Sequence, residues 1–537
     1  MKSWIYSPSL IVAAGWLLIP FCTLPADAEQ TLNLRPRSQS PTAPDSGRFH
    51  RTEDSVKWVA EQTAIIVCDM WDVHHSYRAA KRGREIAPRL NAVVTRLREA
   101  GATVIHAPSD CMAFYEEHPA RRRAMTVPAA EEYPQAIDQW CHQVPQEEAG
   151  VYPIDQSDGG VDDTAEERSA WHAKLRQQGL EPGRPWTRQT DLLTIDPNVD
   201  FISDSGTEIW NILTARQVKH VILAGVHTNM CVLGRPFGLR RMVLGGKNVV
   251  LLRDLTDTMY NPAMPPYVSH FTGTDLIVDH IERFVCPTIA SDQILGGSPF
   301  RFPDDQRVRL AMLIGEDEYQ TEKTLPKFAR QQLGNDYRVD LIFADEDHPN
   351  LFPGIERVAD ADALLISVRR RTPPPAQLKF VRDFAACGKP IIGIRTANHA
   401  FLLRNKQPPE GFADWQSVDA DLFGGSYSNH YSNKLRTTVR LVDAGQKHPI
   451  TEGLPEQLFV SQGSLYVCVP LADRAEPLLL GQVEGHPAEP IAWTFARPDG
   501  GWSFYTSLGH PQDFEESTFV TVLQRAIDWT ANQTVAP

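Results

Sequence analysis

The chain has 537 residues, more than one hydrophobic core accommodates, and its 42% apolar and 22% charged content is that of a folded protein of two or three domains. A net charge of −14 argues against nucleic acid or an anionic membrane surface as partner, since both would repel it. Residues 1–28 read as a secretory signal peptide: Lys2 supplies the positive end, Leu10 to Leu24 the apolar run, and Ala26-Asp27-Ala28 a small-x-small cleavage site before Glu29. That run is short for a bilayer span and no other stretch is longer, so an exported protein, periplasmic or secreted, without an integral span is expected. Removing the signal leaves seven cysteines, at 68, 111, 141, 231, 286, 387 and 468. An odd count without a C-x-x-C pair predicts at least one free thiol and neither a zinc site nor a disulfide framework.

Residues 29–55, rich in Pro, Ser, Thr and Arg, read as a tether with little order. A first domain is expected over 56–286. Thr63 to Cys68 reads as a fully buried strand running into Asp69-Met70-Trp71-Asp72. A helix over Ile86 to Ala100 follows, then a strand over Ala102 to Ile105. An insertion of about 111–187 comes next, a length that suggests a lid over a cleft. Within it Asp155, Asp158 and Asp162 surround a Gly-Gly turn, readable as a solvated acidic turn or as a loop for a divalent cation. A helix from Thr207 to Arg216, a strand from Val221 to Ala224, an amphipathic segment from Cys231 to Val243 and a strand from Asn248 to Leu252 complete the pattern. Strands alternating with helices predict a mostly parallel sheet. In such sheets ligands gather at the carboxyl ends of strands. Asp69 sits at one such end, and Cys231 follows another at a strand–helix junction, where unpaired N–H groups favour a thiolate. An acid–base group and a nucleophile are one reading of the pair; a buried free cysteine is the other.

A linker is expected over 287–306, centred on Gly296-Gly297-Ser298-Pro299, and a second α/β domain over 307–537. Its strands are read at Val308–Ile314, Val339–Phe343, Ala363–Ser367 and Pro390–Ile394, with helices at Thr324–Leu333, Gln377–Gly388 and near 516–531. Glu316, Arg369, Thr396 and His399 then fall along one sheet edge. The fold class is therefore α/β, two doubly wound, mostly parallel-sheet domains.

Two resemblances follow from particular motifs. Asp69-Met70-Trp71-Asp72, followed by Gly225-Val226-His227-Thr228-Asn229-Met230-Cys231-Val232, resembles the isochorismatase-like cysteine hydrolases, which include nicotinamidases and N-carbamoyl amidohydrolases, over roughly 58–286. The resemblance implies Asp69 as general base, Cys231 as nucleophile, and a cis Val226–His227 peptide beside an oxyanion hole. Three positions depart from the family. Its catalytic Lys has no counterpart between 188 and 200, where Arg188 is the only cation. Met112 stands where the nicotinamidase branch has a metal-binding His. His227 replaces a small residue. The second domain resembles the ThuA-like, trehalose-utilisation family, with the fold of class I glutamine amidotransferases. The motifs are Gly393-Ile394-Arg395-Thr396-Ala397-Asn398-His399-Ala400-Phe401, Gly424-Gly425-Ser426-Tyr427-Ser428-Asn429-His430 and Tyr505-Thr506-Ser507-Leu508-Gly509-His510. The amidotransferase Cys is missing at the turn, which holds Thr396-Ala397, so glutaminase chemistry is not expected.

The expected function is an exported cysteine hydrolase acting on an amide or related C–N or ester bond of a small metabolite, with Arg188 standing in for the Lys. It is joined to a domain that binds a carbohydrate or related metabolite through Glu316, Tyr319, His399, His430 and His510. No cofactor is required by this chemistry; a divalent cation on the acidic turn is the open alternative. A small-molecule substrate is the expected partner, and a homo-oligomer stays open. Two other readings remain: a binding or assembly module impaired by loss of the Lys, and a sugar-modifying activity in the second domain.

Overall fold

The computed structural model describes Met1 and residues 30–533; the signal-peptide reading lies almost wholly outside them. The first domain is built on an eight-stranded sheet in the order Phe49–Glu53, Arg37–Pro41, Thr288–Ile289, Asn248–Asp257, His220–Val226, Thr63–Cys68, Thr103–Ala107 and Phe201–Ile202. The last six run parallel, and the first two form an antiparallel hairpin on the edge. Alternation sorts the central strands into two faces. Ile65, Val67, Ile222 and Val250 meet the helix Tyr77–Glu99 through Ile86, Leu90, Val93 and Val94. Ala64, Ile66, Val221 and Leu251 meet helices Gly206–Ala215, Leu239–Leu244 and His270–Phe284 on the other side.

The second domain has a nine-stranded sheet. Tyr337–Phe343, Val308–Gly315, Ala363–Val368, Ile391–Ile394 and Trp502–Thr506 run parallel. Glu489–Ala496, Ala475–Gln482, Thr437–Leu441 and Gln457–Ser461 continue it antiparallel. Helices cover both faces: Ser517–Ala531 packs on Leu310, Met312 and Ile392, and Pro375–Ala386 on Ala311, Leu313 and Leu364. Two α/β domains, each doubly wound, are thus present.

Three expectations need correcting. The expected tether over 29–55 is, from residue 30 on, not loose, for Thr31–Leu34 pairs with Val56–Val59 and the Arg37–Pro41/Phe49–Glu53 hairpin extends the sheet. The hairpin is polar, yet its charges are matched by a helix distant in sequence. Arg37 Nε donates to Glu282 Oε1 (2.7 Å), and the Gln39 amide donates to Asp279 (2.8 Å) and Glu282 (2.9 Å). Composition cannot report such partners. The linker also has structure: Thr288–Ile289 is a strand, Asp292–Leu295 a helical turn, and Phe300 and Phe302 pack on the first core. Finally, the segment after Cys231 is not one helix. A five-residue helical turn, Thr228–Val232, is followed by a break at Pro236, which has no N–H to donate, before the helix Leu239–Leu244.

Across the domain boundary the hairpin's Arg51 pairs with Asp279 on one side and Asp340 on the other, and Arg357 also holds Asp340 (2.9 Å). Among the described residues no helix is long and apolar enough to cross a membrane.

The chain turns out of the sheet at Gly225, where φ is +113° and a Cβ would lie 2.0 Å from the Cys68 carbonyl oxygen. Gly225→Ala should therefore destabilise the first domain by about 3 kcal/mol or more, read as an earlier first transition in urea unfolding.

Candidate active site

The strands Thr63–Cys68 and His220–Val226 are neighbours, with Cys68 opposite Gly225, so the residues that follow them meet at one sheet edge. Asp69 is fully buried with φ +48°. Its carboxylate accepts the Ser109 N–H (2.8 Å) at Oδ1 and Nε of Arg235 (3.1 Å) at Oδ2. The Cys231 thiol faces the same carboxylate and the same guanidinium, close enough to interact with both. Cys231 lies in the helical turn, and the Arg235 N–H donates to its carbonyl (3.0 Å), which places Arg235 one turn on from the thiol. The Val226–His227 peptide between strand and turn is cis. Asp69, Cys231 and the Val226–His227 peptide are thus brought together.

Burial pushes the Asp69 carboxyl upward, and Arg235 opposes the shift. Burial likewise pushes the Cys231 thiol up, Asp69 adds to that, and Arg235 again opposes. Both groups are thus shifted upward by burial, and the Arg235 guanidinium opposes the shift in each.

Arg188 is not the cation of this site. The segment after Trp186 runs antiparallel to 69–72, with a bridge between Trp71 and Gln189. Gln189 and Thr190 are buried, which leaves Arg188 exposed, its guanidinium 5.4 Å over the Phe114 ring. The missed residue is Arg235. Its signal was present in the spacing: a cation four residues after the cysteine shares a face with it when the turn is helical.

The insertion closes on this edge. Trp186 stacks on Trp71 at 4.6 Å, and Trp71 Nε1 donates to the Ser109 carbonyl (3.0 Å). Trp140 lies against Gly234 and 5.6 Å from the Arg235 guanidinium. His227 turns away from the thiol. Its Nε2 lies 3.3 Å from His74 Nε2 and its Nδ1 3.8 Å from Asp257, and burial lowers its pKa to about 4.

Among the described residues no group of three or more His, Cys, Asp or Glu is placed to hold a metal ion, and the carboxylates of the acidic turn face protein partners. Asp155 accepts the Ser157 N–H (2.8 Å), and Asp158 accepts from Gly160 (2.9 Å) and Asn261 (2.8 Å). Asp162 is bound bidentately by Arg82 (2.9 and 3.0 Å), which also holds Asp257. Each carboxylate faces its own partner because the glycines Gly159 and Gly160, both at positive φ, turn the chain between them.

In the second domain the strand ends gather as expected, with a different cast. Glu316 does not line a cleft: its oxygens accept the N–H groups of Glu318, Tyr319 and Thr321 and the Thr321 hydroxyl, which fixes the loop after the first strand. His399 packs on Tyr427 (4.7 Å) and Tyr466 (6.2 Å). His430 accepts from or donates to the Tyr427 hydroxyl (2.7 Å) and lies 6.2 Å from Tyr466. His510 accepts the Gln512 N–H (3.3 Å) in its own turn and stands 6.5 Å from Tyr319. The sharp turn after Ile391–Ile394 is made by Arg395 itself, at φ +51°, one residue earlier than the Thr396-Ala397 pair.

Residues 63–263 match the isochorismatase domain model and residues 309–530 the ThuA, trehalose utilisation, model. The chain joins an isochorismatase domain to a ThuA domain. No curated protein matches it. Similar solved structures include a ThuA-like protein from Bacteroides uniformis ATCC 8492 (17% identity, 44% of this chain and 95% of that one, TM-score 0.33). Another is a cysteine hydrolase from Pseudomonas syringae pv. phaseolicola 1448A (19% identity, 44% and 92%, TM-score 0.27). A third is the exo-β-1,4-mannosidase Op5Man5 from Opitutaceae bacterium strain TAV5 (9% identity, 88% and 90%, TM-score 0.26). Likenesses at these scores carry no functional argument. The isochorismatase match supports a hydrolase at the level of the family.

All seven cysteines of the described residues are unpaired; the Cys68 thiol also feels Asp69 and Arg235, but Cys231 is the one whose thiol is within hydrogen-bonding reach of both. The two charges of the isochorismatase domain's site act on that thiol with opposite sign. Arg235→Gln should raise the thiol pKa further and slow iodoacetamide alkylation at pH 8 by about tenfold, whereas Asp69→Asn should lower it and speed alkylation. Rates measured from pH 6 to 10 check both directions.

Proposed function

We propose that the isochorismatase domain is a cysteine hydrolase that cleaves an amide or related C–N or ester bond of a small metabolite. The observation that supports this reading best is the meeting of Asp69, Cys231 and Arg235 at the buried strand ends under the insertion. Asp69 takes the thiol proton as Cys231 Sγ attacks the carbonyl carbon, and the fixed charge of Arg235 stabilises the developing thiolate. Backbone N–H groups of the turn around His227 and Cys231 hold the oxyanion. The tetrahedral adduct collapses as Asp69 returns the proton to the leaving amine or alkoxide, which leaves a thioester on Cys231. Water, deprotonated by Asp69, then releases the acid and restores the thiol. Arginine stays protonated, so Arg235 holds charge but moves no proton, and Asp69 carries the proton in both half-reactions. The sequence as written requires no cofactor.

We further assign the ThuA domain the binding of a carbohydrate or related polar metabolite, supported by the tyrosines and histidines gathered at its strand ends. Export through residues 1–28 belongs to the same proposal. Amino-terminal sequencing of the secreted protein should begin at Glu29, and an intact Met1 would remove this element.

Hydrolysis of a panel of primary amides and N-carbamoyl compounds tests the main reading. Cys231→Ala should lower kcat/KM by at least about 10³-fold on whichever substrate is turned over, with the fold retained by circular dichroism. Intact-mass spectrometry of quenched reactions should show an acyl adduct on Cys231. Unchanged turnover in Cys231→Ala would sink the mechanism.

Arg235→Lys should retain more activity than Arg235→Gln, because charge rather than fork geometry is what the thiolate needs.

A further inference from the structure

The ThuA domain buries an arginine without an acid. Arg395 is 1% exposed, at the left-handed turn that follows the central strand. Its guanidinium is clamped between the rings of Tyr319 (4.4 Å) and Tyr466 (4.2 Å). Its hydrogen bonds go to neutral oxygens: the Ser464 carbonyl (3.2 Å) and hydroxyl (3.0 Å), the Tyr319 hydroxyl (3.2 Å) and the Ser507 carbonyl. Nε has no partner. Gly463 makes room for the group, since a Cβ there would lie 3.1 Å from Nη1. Among the described residues no carboxylate forms an ion pair with Arg395. A charge removed from water normally requires one.

The charge has company. Arg370, half-buried and also in the left-handed region (φ +50°), donates its N–H to the His399 carbonyl (3.1 Å). Its side chain forms no ion pair among the described residues, and it faces Arg404, Tyr427 and Tyr466. Arg404 lies over Tyr427 (5.4 Å) and donates to the Ser428 carbonyl (2.7 Å). Arg369, by contrast, is paired with Glu318 (2.8 Å). Burial first and these arginines second hold His399 down at about 3, so that ring adds no charge and offers a neutral hydrogen-bonding edge. Tyr427 and His430 stand at the solvent end of the same cluster. The strand ends therefore gather three arginines, Arg370, Arg395 and Arg404, without an ion-pair partner among the described residues, set among tyrosine rings, with Glu318 paired to Arg369 at their margin. Low-dielectric walls concentrate such a field on whatever enters.

We propose that the ThuA cleft takes an anionic polyol, a sugar-like metabolite bearing a carboxylate or phosphate, with Arg370 contacting the anion, Arg395 supplying the field beneath it and Tyr427 and His430 flanking the polyol. This deepens the carbohydrate reading above and rests on it for the polyol part. Isothermal titration of the full chain with glucose 6-phosphate, glucuronate, glucose and inorganic phosphate separates the parts. Binding of glucose 6-phosphate or glucuronate is expected to be at least about tenfold tighter than that of glucose and to weaken as salt rises. Arg370→Gln should weaken the acidic probes by about tenfold and leave glucose unchanged. Arg370 is half-exposed, so this variant avoids the folding cost of replacing Arg395, and its melting temperature should match the parent. Glucose binding as tightly as the acids would overturn the anion and leave the carbohydrate reading. Inorganic phosphate binding as tightly as glucose 6-phosphate would support the anion and overturn the polyol. Binding of none of the four would overturn both.

Discussion

The geometry of the first domain's candidate site depends on one ion pair, Arg235 with the buried Asp69. Asp69 is wholly removed from water at the end of a central strand, where an unpaired carboxylate would have to take up a proton. Arg235 pairs with it and opposes the upward shift that burial imposes, and because Arg235 sits one turn beyond Cys231, the same guanidinium reaches the thiol. Carboxylate, thiol and guanidinium are thereby locked to each other by two short stretches of chain, and the cation comes from the cysteine's own turn. In the mechanism proposed above, a guanidinium that holds its charge permanently leaves all proton traffic to Asp69.

A second buried network supports that arrangement from behind. Arg82 on the helix Tyr77–Glu99 binds Asp257 and Asp162 together, and His270 Nε2 lies 2.9 Å from Asp257. Asp163, the next residue of the insertion, accepts the Ser76 hydroxyl (3.0 Å) and the Arg78 N–H (2.8 Å) at the start of that helix. The acidic turn thus anchors the insertion to the helix and strand beneath the site. Asp162, read in the sequence as a possible cation ligand, is part of the insertion's fastening. Trp140 and Trp186, from the same insertion, are then held over Arg235 and Trp71.

Both domains solve the same geometric problem in the same way. A parallel sheet delivers side chains to one edge, and a residue in the left-handed region turns each chain sharply enough to present a group there: Asp69 at φ +48° in one, Arg395 at +51° in the other. What differs is the group presented. A carboxylate stands beside a thiol in the first, and a guanidinium between two tyrosine rings in the second.

The sequence by itself determined the two α/β domains, the strand that ends at Asp69, the turn that carries Cys231 and the second domain's row of strand ends. These are local properties: buried β-branched runs, helical periodicity and glycine at breaks are written in neighbouring residues. Only the tertiary structure decided the partners. Composition made residues 29–55 look unstructured because Glu282 and Asp279, which neutralise Arg37 and order Gln39, lie some 240 positions away. Arg188 is the cation of its segment, but Gln189 and Thr190 take the buried places beside 69–72 and Arg188 is left exposed. Arg235 stands one helical turn after Cys231, a spacing legible in the sequence, but that its guanidinium meets the carboxylate of Asp69 is set by the pairing of two strands far apart in the chain. Glu316 looked like a cleft residue and became a loop clamp, while Arg395, read as part of a motif, became the buried charge of the second site. In each case the residue type was legible, and its role was set by which way the folded backbone pointed it and what charge lay opposite.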